Sequence, residues 1–113
     1  MNIITKKSPF TKDEIVTMSR NFDGVYIKTV IDIEQAVCSG GCDRHYDSEQ
    51  ILLEQGSRQE DLWGGGIDLT SMALDCNSFI NIRPRDGNFT NEITIESIRK
   101  IFYNHMKYFF SLP

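Results

Sequence analysis

The sequence predicts an α+β fold: a two-layer domain in which a four-stranded antiparallel meander sheet carries an N-terminal and a C-terminal helix on one face. Three observations predict it. Thr11-Lys12-Asp13-Glu14 is a capping box leading into apolar residues at helical spacing. Val25 to Glu34 alternates with a period of two, and Ile95 to Phe109 carries one broad apolar stripe. Helix, extended segments and closing helix, in that order, place both helices over a sheet whose other face is partly open.

In the first helix, about Lys12 to Asn21, the Thr11 hydroxyl accepts from the Glu14 amide and the Glu14 carboxylate answers back, while Phe10 and Ile15 form a hydrophobic staple. Ile15, Met18 and Phe22 supply the buried stripe, and Gly24 ends the helix. A short extended segment, Met1 to Lys6, precedes it. From Val25 onward, Val25, Ile27, Thr29, Ile31 and Ile33 fall on one strand face and Tyr26, Lys28, Val30, Asp32 and Glu34 on the other. Cys38-Ser39-Gly40-Gly41 reads as a tight turn, so the chain folds back into a second strand containing His45 to Glu49. Ser48 to Gln55 also reads as a helix capped by Asp47; the strand is preferred because the glycine pair leads directly into it. Ser57 to Glu60 is the next turn. Leu62 to Leu69 is a third strand loosened by Gly64, Gly65 and Gly66, and Ser78 to Arg83 a fourth, with Ile80 and Ile82 inward and Pro84 and Asp86-Gly87 ending it. Thr94 caps the final helix, whose inner stripe is Ile95, Ile98, Ile101, Phe102, Met106 and Phe109.

A length of 113 residues suits a single domain, 1–113, with one core. Twelve basic residues against 16 acidic give a net charge of −4, which weakens the case for nucleic acid or an anionic membrane without removing local patches such as Lys6, Lys7 and Lys12. No segment approaches the length of a membrane span, and the N-terminus has no apolar run of signal-peptide length, so a cytoplasmic location is expected. The 3 cysteines have no disulfide-framework spacing, as suits a reducing compartment.

The chemistry-bearing motif is His45-Tyr46-Asp47-Ser48-Glu49. In a strand it puts an imidazole and two carboxylates on one face, and a hairpin at the glycine pair adds Asp32 and Glu34. Four carboxylates in cross-strand reach repel one another and call for a cation, a shared proton or basic neighbours. Asp32, Glu34, His45, Asp47 and Glu49 would suit a divalent metal, Mg²⁺, Mn²⁺ or Zn²⁺. Without a metal, His45 and Glu49 would form an acid/base pair, with Arg83 steadying a developing phosphate charge and Trp63 and Asn81 at the margin. The plainer reading is a solvated polar face on which Lys28 and Arg44 balance the carboxylates. Zinc through Cys38, Cys42, His45 and Cys76 is disfavoured, because a regular hairpin sends Cys38 and Cys42 to opposite faces. Asp61-Leu62-Trp63-Gly64-Gly65-Gly66 allows close approach of a ligand or another backbone, yet lacks the features of a phosphate loop. His105 reads as a packed histidine.

Gly40-Gly41-x-x-x-His45-x-Asp47-x-Glu49, Gly56-Ser57-x-Gln59-x-Asp61-Leu62-Trp63-Gly64 and Ile80-Asn81-Ile82-Arg83-Pro84 with Asn88 together resemble a small prokaryotic family of unknown function, over nearly the whole chain. The resemblance implies a stand-alone protein and brings no activity, cofactor or site residue with it. Two functions follow from the residues: metal binding or phosphoester hydrolysis, RNA included, at the polar face, and a non-catalytic module docking a partner or a second copy through Trp63, Tyr26 and Tyr46.

Overall fold

The computed structural model describes residues 2–113. It is an α+β fold built on a five-stranded antiparallel sheet in the order β1-β3-β2-β4-β5. The strands are β1 (Ile4–Lys6), β2 (Tyr26–Asp32), β3 (Val37–Cys42), β4 (Leu62–Asp68) and β5 (Ala73–Asp75). The helices are α1 (Lys12–Met18), α2 (His45–Glu54) and α3 (Glu96–Phe109). Met1, the first residue of the expected extended segment, lies outside the described residues.

The capping box forms as read: Thr11 Oγ1 accepts from the Glu14 amide at 3.2 Å, and the Glu14 carboxylate accepts from the Thr11 amide at 2.8 Å and from Lys6 Nζ at 2.9 Å. The α-helical part stops at Met18 and continues as a 3-10 turn, Ser19–Phe22, before Asp23 and Gly24 turn left-handed.

The hairpin turn comes earlier than the glycine pair suggests. Asp32 is fully buried, and its carboxylate accepts from the amides of Glu34 (2.9 Å) and Gln35 (2.8 Å), while Ala36 takes a φ of 56°. This side-chain-stabilised turn reverses the chain at 33–36. Gly40 and Gly41 therefore lie inside β3, where the chain is crowded: a Cβ on Gly41, whose φ is 91°, would strike the Asn2 carbonyl and Met18. The register follows from the turn, with Val30 opposite Ser39 and Ile31 opposite Cys38.

With the turn displaced, β3 ends before His45, and residues 45–54 wind into α2 rather than forming the second strand. Asp47 does not cap it. Arg44 is the N-cap residue, without a side-chain cap bond, and Asp47 in the first turn pairs with the Arg44 guanidinium at 3.2 Å. Leu52 then packs on Val30, Val37 and Leu62, and Ser48 Oγ accepts from Ser39 Oγ at 2.9 Å. α2 thus covers the face expected to be open, and the fold has three layers.

The opposite face carries α1 and α3. Ile27, Ile31, Trp63 and Ile67 meet Met18, Phe102, Met106 and Phe109 in the larger core, and Thr29 Oγ1 donates to Met106 Sδ at 3.2 Å. Burying Phe102, Met106 and Phe109 contributes about 1.5–3 kcal/mol each, so α3 is held by its stripe more than by its caps. Thr94 does not cap α3; its amide and hydroxyl both donate to Asn88 Oδ1 at 2.8 Å.

β4 forms nearly as expected, but the fourth expected strand, Ser78 to Arg83, does not. That segment is a 3-10 turn at Phe79–Asn81 followed by another at Pro84–Asp86, Ile82 is 42% exposed, and the strand beside β4 is the short β5. The glycines of β4 explain the packing around it. A Cβ on Gly65 would meet the Asp75 carbonyl and the Phe102 ring (Cζ 2.6 Å), and one on Gly66 the Tyr26 hydroxyl. Gly65→Ala is expected to destabilise the fold by about 1–3 kcal/mol through overpacking, while Phe102→Ala costs about 3–5 kcal/mol through a cavity. Urea unfolding of the two variants checks both values.

Candidate functional site

The five residues expected to share one strand face do not meet. Asp32 is held inside its turn, accepting also from Gln35 Nε2 (3.0 Å) and Ser57 Oγ (2.6 Å), while Glu34 is exposed in that turn. In α2 successive residues rotate by about 100° rather than alternating by 180°. His45 and Glu49, one turn apart, therefore share a side, and Asp47 points elsewhere, to Arg44. Among the described residues no three His, Cys, Asp or Glu are grouped so as to hold a metal ion. The metal cluster of Asp32, Glu34, His45, Asp47 and Glu49 is accordingly not formed. Cys38, Cys42 and Cys76 are buried, free thiols.

Asn81 and Trp63, expected at the margin of a site, are both inside. Asn81 Oδ1 accepts from the Gly64 amide at 2.8 Å, and its Nδ2 donates to the carbonyls of Gly64 (2.9 Å), Cys76 (2.9 Å) and Asn91 (3.0 Å). One amide side chain thus satisfies the edge that a fourth strand would have paired. Trp63 is 1% exposed, and the Arg83 guanidinium stacks on its ring with Cζ 3.8 Å from the centroid. Arg83 also donates through Nη1 to the Gln59 carbonyl at 2.7 Å and through Nη2 to that of Leu62. Its guanidinium, half-buried, therefore ties Gln59–Asp61 and the start of β4 together. Glu49 is buried on the same flank. Burial raises its carboxyl above the ordinary range, against the lowering influence of the Gln59 side chain and the Arg83 charge.

His45 instead looks into a cleft between the N-terminal turn of α2 and the Phe79–Asn81 turn, and its ring and Ser78 rest on Gly64 of β4. Ser78 Oγ and His45 Cδ2 lie 2.8 and 3.1 Å from the point that a Cβ on Gly64 would occupy, so any side chain there would displace both. His45 Nε2 is 2.7 Å from the Gly65 carbonyl. A carbonyl only accepts, so Nε2 carries the proton and Nδ1 of the neutral ring offers a lone pair. Burial, then the charge of Lys28, holds the imidazole below its ordinary value of 6.5, against the raising influence of the Gly65 carbonyl and Asp75.

The cleft has a volume of about 320 Å³ and is lined by Lys28, Arg44, His45, Tyr46 and the Ser78–Ile80 turn. Beyond His45 it continues as a hollow of about 190 Å³ reached by Tyr26, Asn77 and Asn91. Neither lining contains a carboxylate. Two carboxylates adjoin the cleft: Asp47 pairs with the Arg44 guanidinium at 3.2 Å, and Asp75 stands behind Tyr26, whose hydroxyl donates to it at 2.6 Å. Lys28 Nζ donates to the Asp43 carbonyl at 3.1 Å, and Arg44 lies over the Tyr46 ring. The His45 atom nearest Gly64, beside Ser78, is the carbon Cδ2, so a serine–histidine proton transfer is not set up, and what the cleft offers is the charge of Lys28 and Arg44 beside a neutral imidazole. Sequence reasoning placed Lys28 and Arg44 only as charge balancers and did not single out Ser78 or Phe79. The one signal pointing here was the glycine run, read as a place of close approach.

Two outcomes follow. Asn81→Ala leaves buried amide and carbonyl groups of β4 unpaired and is expected to cost several kcal/mol, at about 1–3 kcal/mol per group, read by chemical denaturation. For His45 the unfolded chain binds more protons between the lowered folded pKa and 6.5. Its contribution to stability is therefore full above about 6.5 and is lost as pH falls through that window. Glu49 acts in the opposite sense, its raised carboxyl making stability fall as pH climbs from 4.5. The His45 part is read as the difference between wild type and His45→Gln, and an NMR titration should place the imidazole below 6.5.

No helix of the described residues is long and apolar enough to cross a membrane. No curated protein and no solved structure matches the chain. A family model described as a protein of unknown function, DUF5674, matches residues 2–107. That match spans nearly the whole sequence, and the chain therefore belongs to the DUF5674 family of proteins of unknown function.

Proposed function

We propose that the protein is a binding module whose cleft at His45 takes a small anionic group carried on an apolar or aromatic body. One observation carries this reading: a chain of net charge −4 lines a cleft of about 320 Å³ with Lys28, Arg44 and a neutral imidazole, with no carboxylate in the lining and only Asp47, paired to Arg44, at its rim. Two cations beside a neutral imidazole suit a carboxylate or phosphate monoester. Tyr46, 54% exposed, and Phe79, 85% exposed, stand at the rim as apolar walls for the rest of the ligand.

Hydrolysis by His45, Glu49 and Arg83 has less support. His45 alone reaches the cleft, while Glu49 sits against Gln59 and Arg83 holds backbone carbonyls. A long polyanion such as RNA is disfavoured by the overall charge, since only two cations face the cleft.

The reading is tested with two probes, benzoate and phenyl phosphate, followed through the His45 ring resonances. Binding should shift those resonances and raise the His45 pKa, because a bound anion favours the imidazolium. Lys28→Met and Arg44→Ala should each weaken binding about ten-fold, as expected for a charged hydrogen bond worth roughly 1.5 kcal/mol or more. A His45 ring indifferent to both probes at millimolar concentration would sink the proposal.

A further inference from the structure

We propose that Phe79, Ile82 and Phe89 form a preorganised docking ridge continuous with the His45 cleft, and that its occupant is an acidic, apolar peptide segment of a partner polypeptide. This rests on the anion-binding reading of the cleft and names the class of ligand that fills it. The three side chains are 85%, 42% and 68% exposed. Scattered apolar residues on a surface mean little, but these are brought together by the backbone. The Ile82 amide donates to the Phe79 carbonyl at 3.1 Å, and side chains three apart in a 3-10 turn stack over one another. Arg83 and Asn88 exchange both backbone hydrogen bonds (2.7 and 3.1 Å) as an antiparallel bridge, which sets Ile82 beside Phe89 across the hairpin.

The backbone beneath the ridge is fixed from inside. Asn88, fully buried, donates through Nδ2 to the carbonyls of Asn81 (2.8 Å), Thr90 (3.0 Å) and Glu92 (3.0 Å), and Asn81 anchors the same loop to β4. In this loop the amides point inward and the aromatics outward, the reverse of what core packing asks. Aromatic anchors on a rigid backbone reduce the ordering cost of association, a feature of interface hot spots.

Charge selects the occupant. The ridge runs at Phe79 into a cleft bearing Lys28, which makes no ion pair among the described residues, and Arg44, which Asp47 pairs from the rim, so a segment covering both supplies apolar side chains to the ridge and a carboxylate to the cleft, chiefly for Lys28. An anionic membrane is the weaker fit, because two cations do not offset a chain of net charge −4 near a negative surface.

The test is selection from a display library of random linear peptides against three forms of the full chain: wild type, Phe79→Ser with Phe89→Ser, and Lys28→Met with Arg44→Ala. All four positions are at least partly exposed, and thermal melting verifies that each form is folded. The wild type should enrich sequences combining Asp or Glu with aromatic or aliphatic residues. Synthetic peptides from that pool should bind at least about ten-fold more weakly to each double variant. Retained affinity in the Phe79/Phe89 variant overturns the ridge while leaving the cleft standing. Retained affinity in the Lys28/Arg44 variant with loss in the other overturns the carboxylate assignment and, with it, the cleft reading. No enrichment by the wild type, wild-type binding to phosphatidylserine vesicles abolished by Phe79→Ser with Phe89→Ser, or a dimer in light scattering that the same variant dissolves, each overturns the peptide as occupant.

Discussion

The arrangement of this protein depends on a stretch of β4 that has no side chains. At Gly64, Gly65 and Gly66 the strand is bare backbone in the middle of a sheet, and neighbours from both faces close on it. Phe102 of α3 presses on Gly65 from one side, while Ser78, the His45 ring and the Tyr26 hydroxyl occupy the space over Gly64 and Gly66 from the other. Glycine in a strand ordinarily weakens it. Here the loss is offset by close packing on both faces: an aromatic ring lies against the strand on one, and on the other the His45 ring and Ser78 rest on it, with the cleft opening beyond them. The polar character of that cleft follows from the same cause, since the buried Gly65 carbonyl accepts from His45 Nε2 and fixes the tautomer of the ring that lines it.

Three buried polar side chains replace strand pairing where the chain leaves the sheet. Asp32 turns β2 into β3, Asn81 closes the flank of β4, and Asn88 ties together residues 81 to 94. Asn81 spends its bonds on backbone groups, and Asp32 and Asn88 divide theirs between backbone and the side chains of Gln35, Ser57 and Thr94, which makes these turns specific and costly to disturb. Loops fixed in this way need few apolar anchors of their own; in residues 81 to 94 Ile93 alone is buried in the core. That is why Phe79, Ile82 and Phe89 can face water without loosening the fold, and why they stand available to another molecule.

Much of the fold is legible in local sequence. The capping box before α1, the alternation through β2, the β4 segment and the apolar stripe of α3 appear close to where they are read, because each depends on interactions within a few residues or on one uninterrupted period. The Gly40-Gly41 pair misleads. A glycine pair between apolar runs usually marks a hairpin turn, but here it answers a crowding of Asn2 and Met18 against β3, a contact between residues far apart in sequence. Once the turn is displaced to Asp32, the register shifts, His45 to Glu54 is left outside the sheet, and its modest helical propensity prevails. Ile80 and Ile82 mislead in the same way: their alternation suits a strand, and it is the side chain of Asn81 between them that bends the segment out of the ladder.

The candidate site divides along the same line. Sequence alone determined which residue types were at hand: a histidine near the start of a segment, a glycine run admitting close approach, an arginine followed by proline, and an acidic balance that disfavours polyanions. Only the tertiary structure decided which of them meet. It placed Asp32 in a turn, Arg83 on Trp63 and Asn81 under β4, and brought His45 together with Lys28, Arg44 and Ser78, residues up to 50 positions apart in the chain. The physical reason is that charge and period act locally, whereas a cleft exists only where separate elements fail to fill the space between them, and that space is set by packing across the whole molecule.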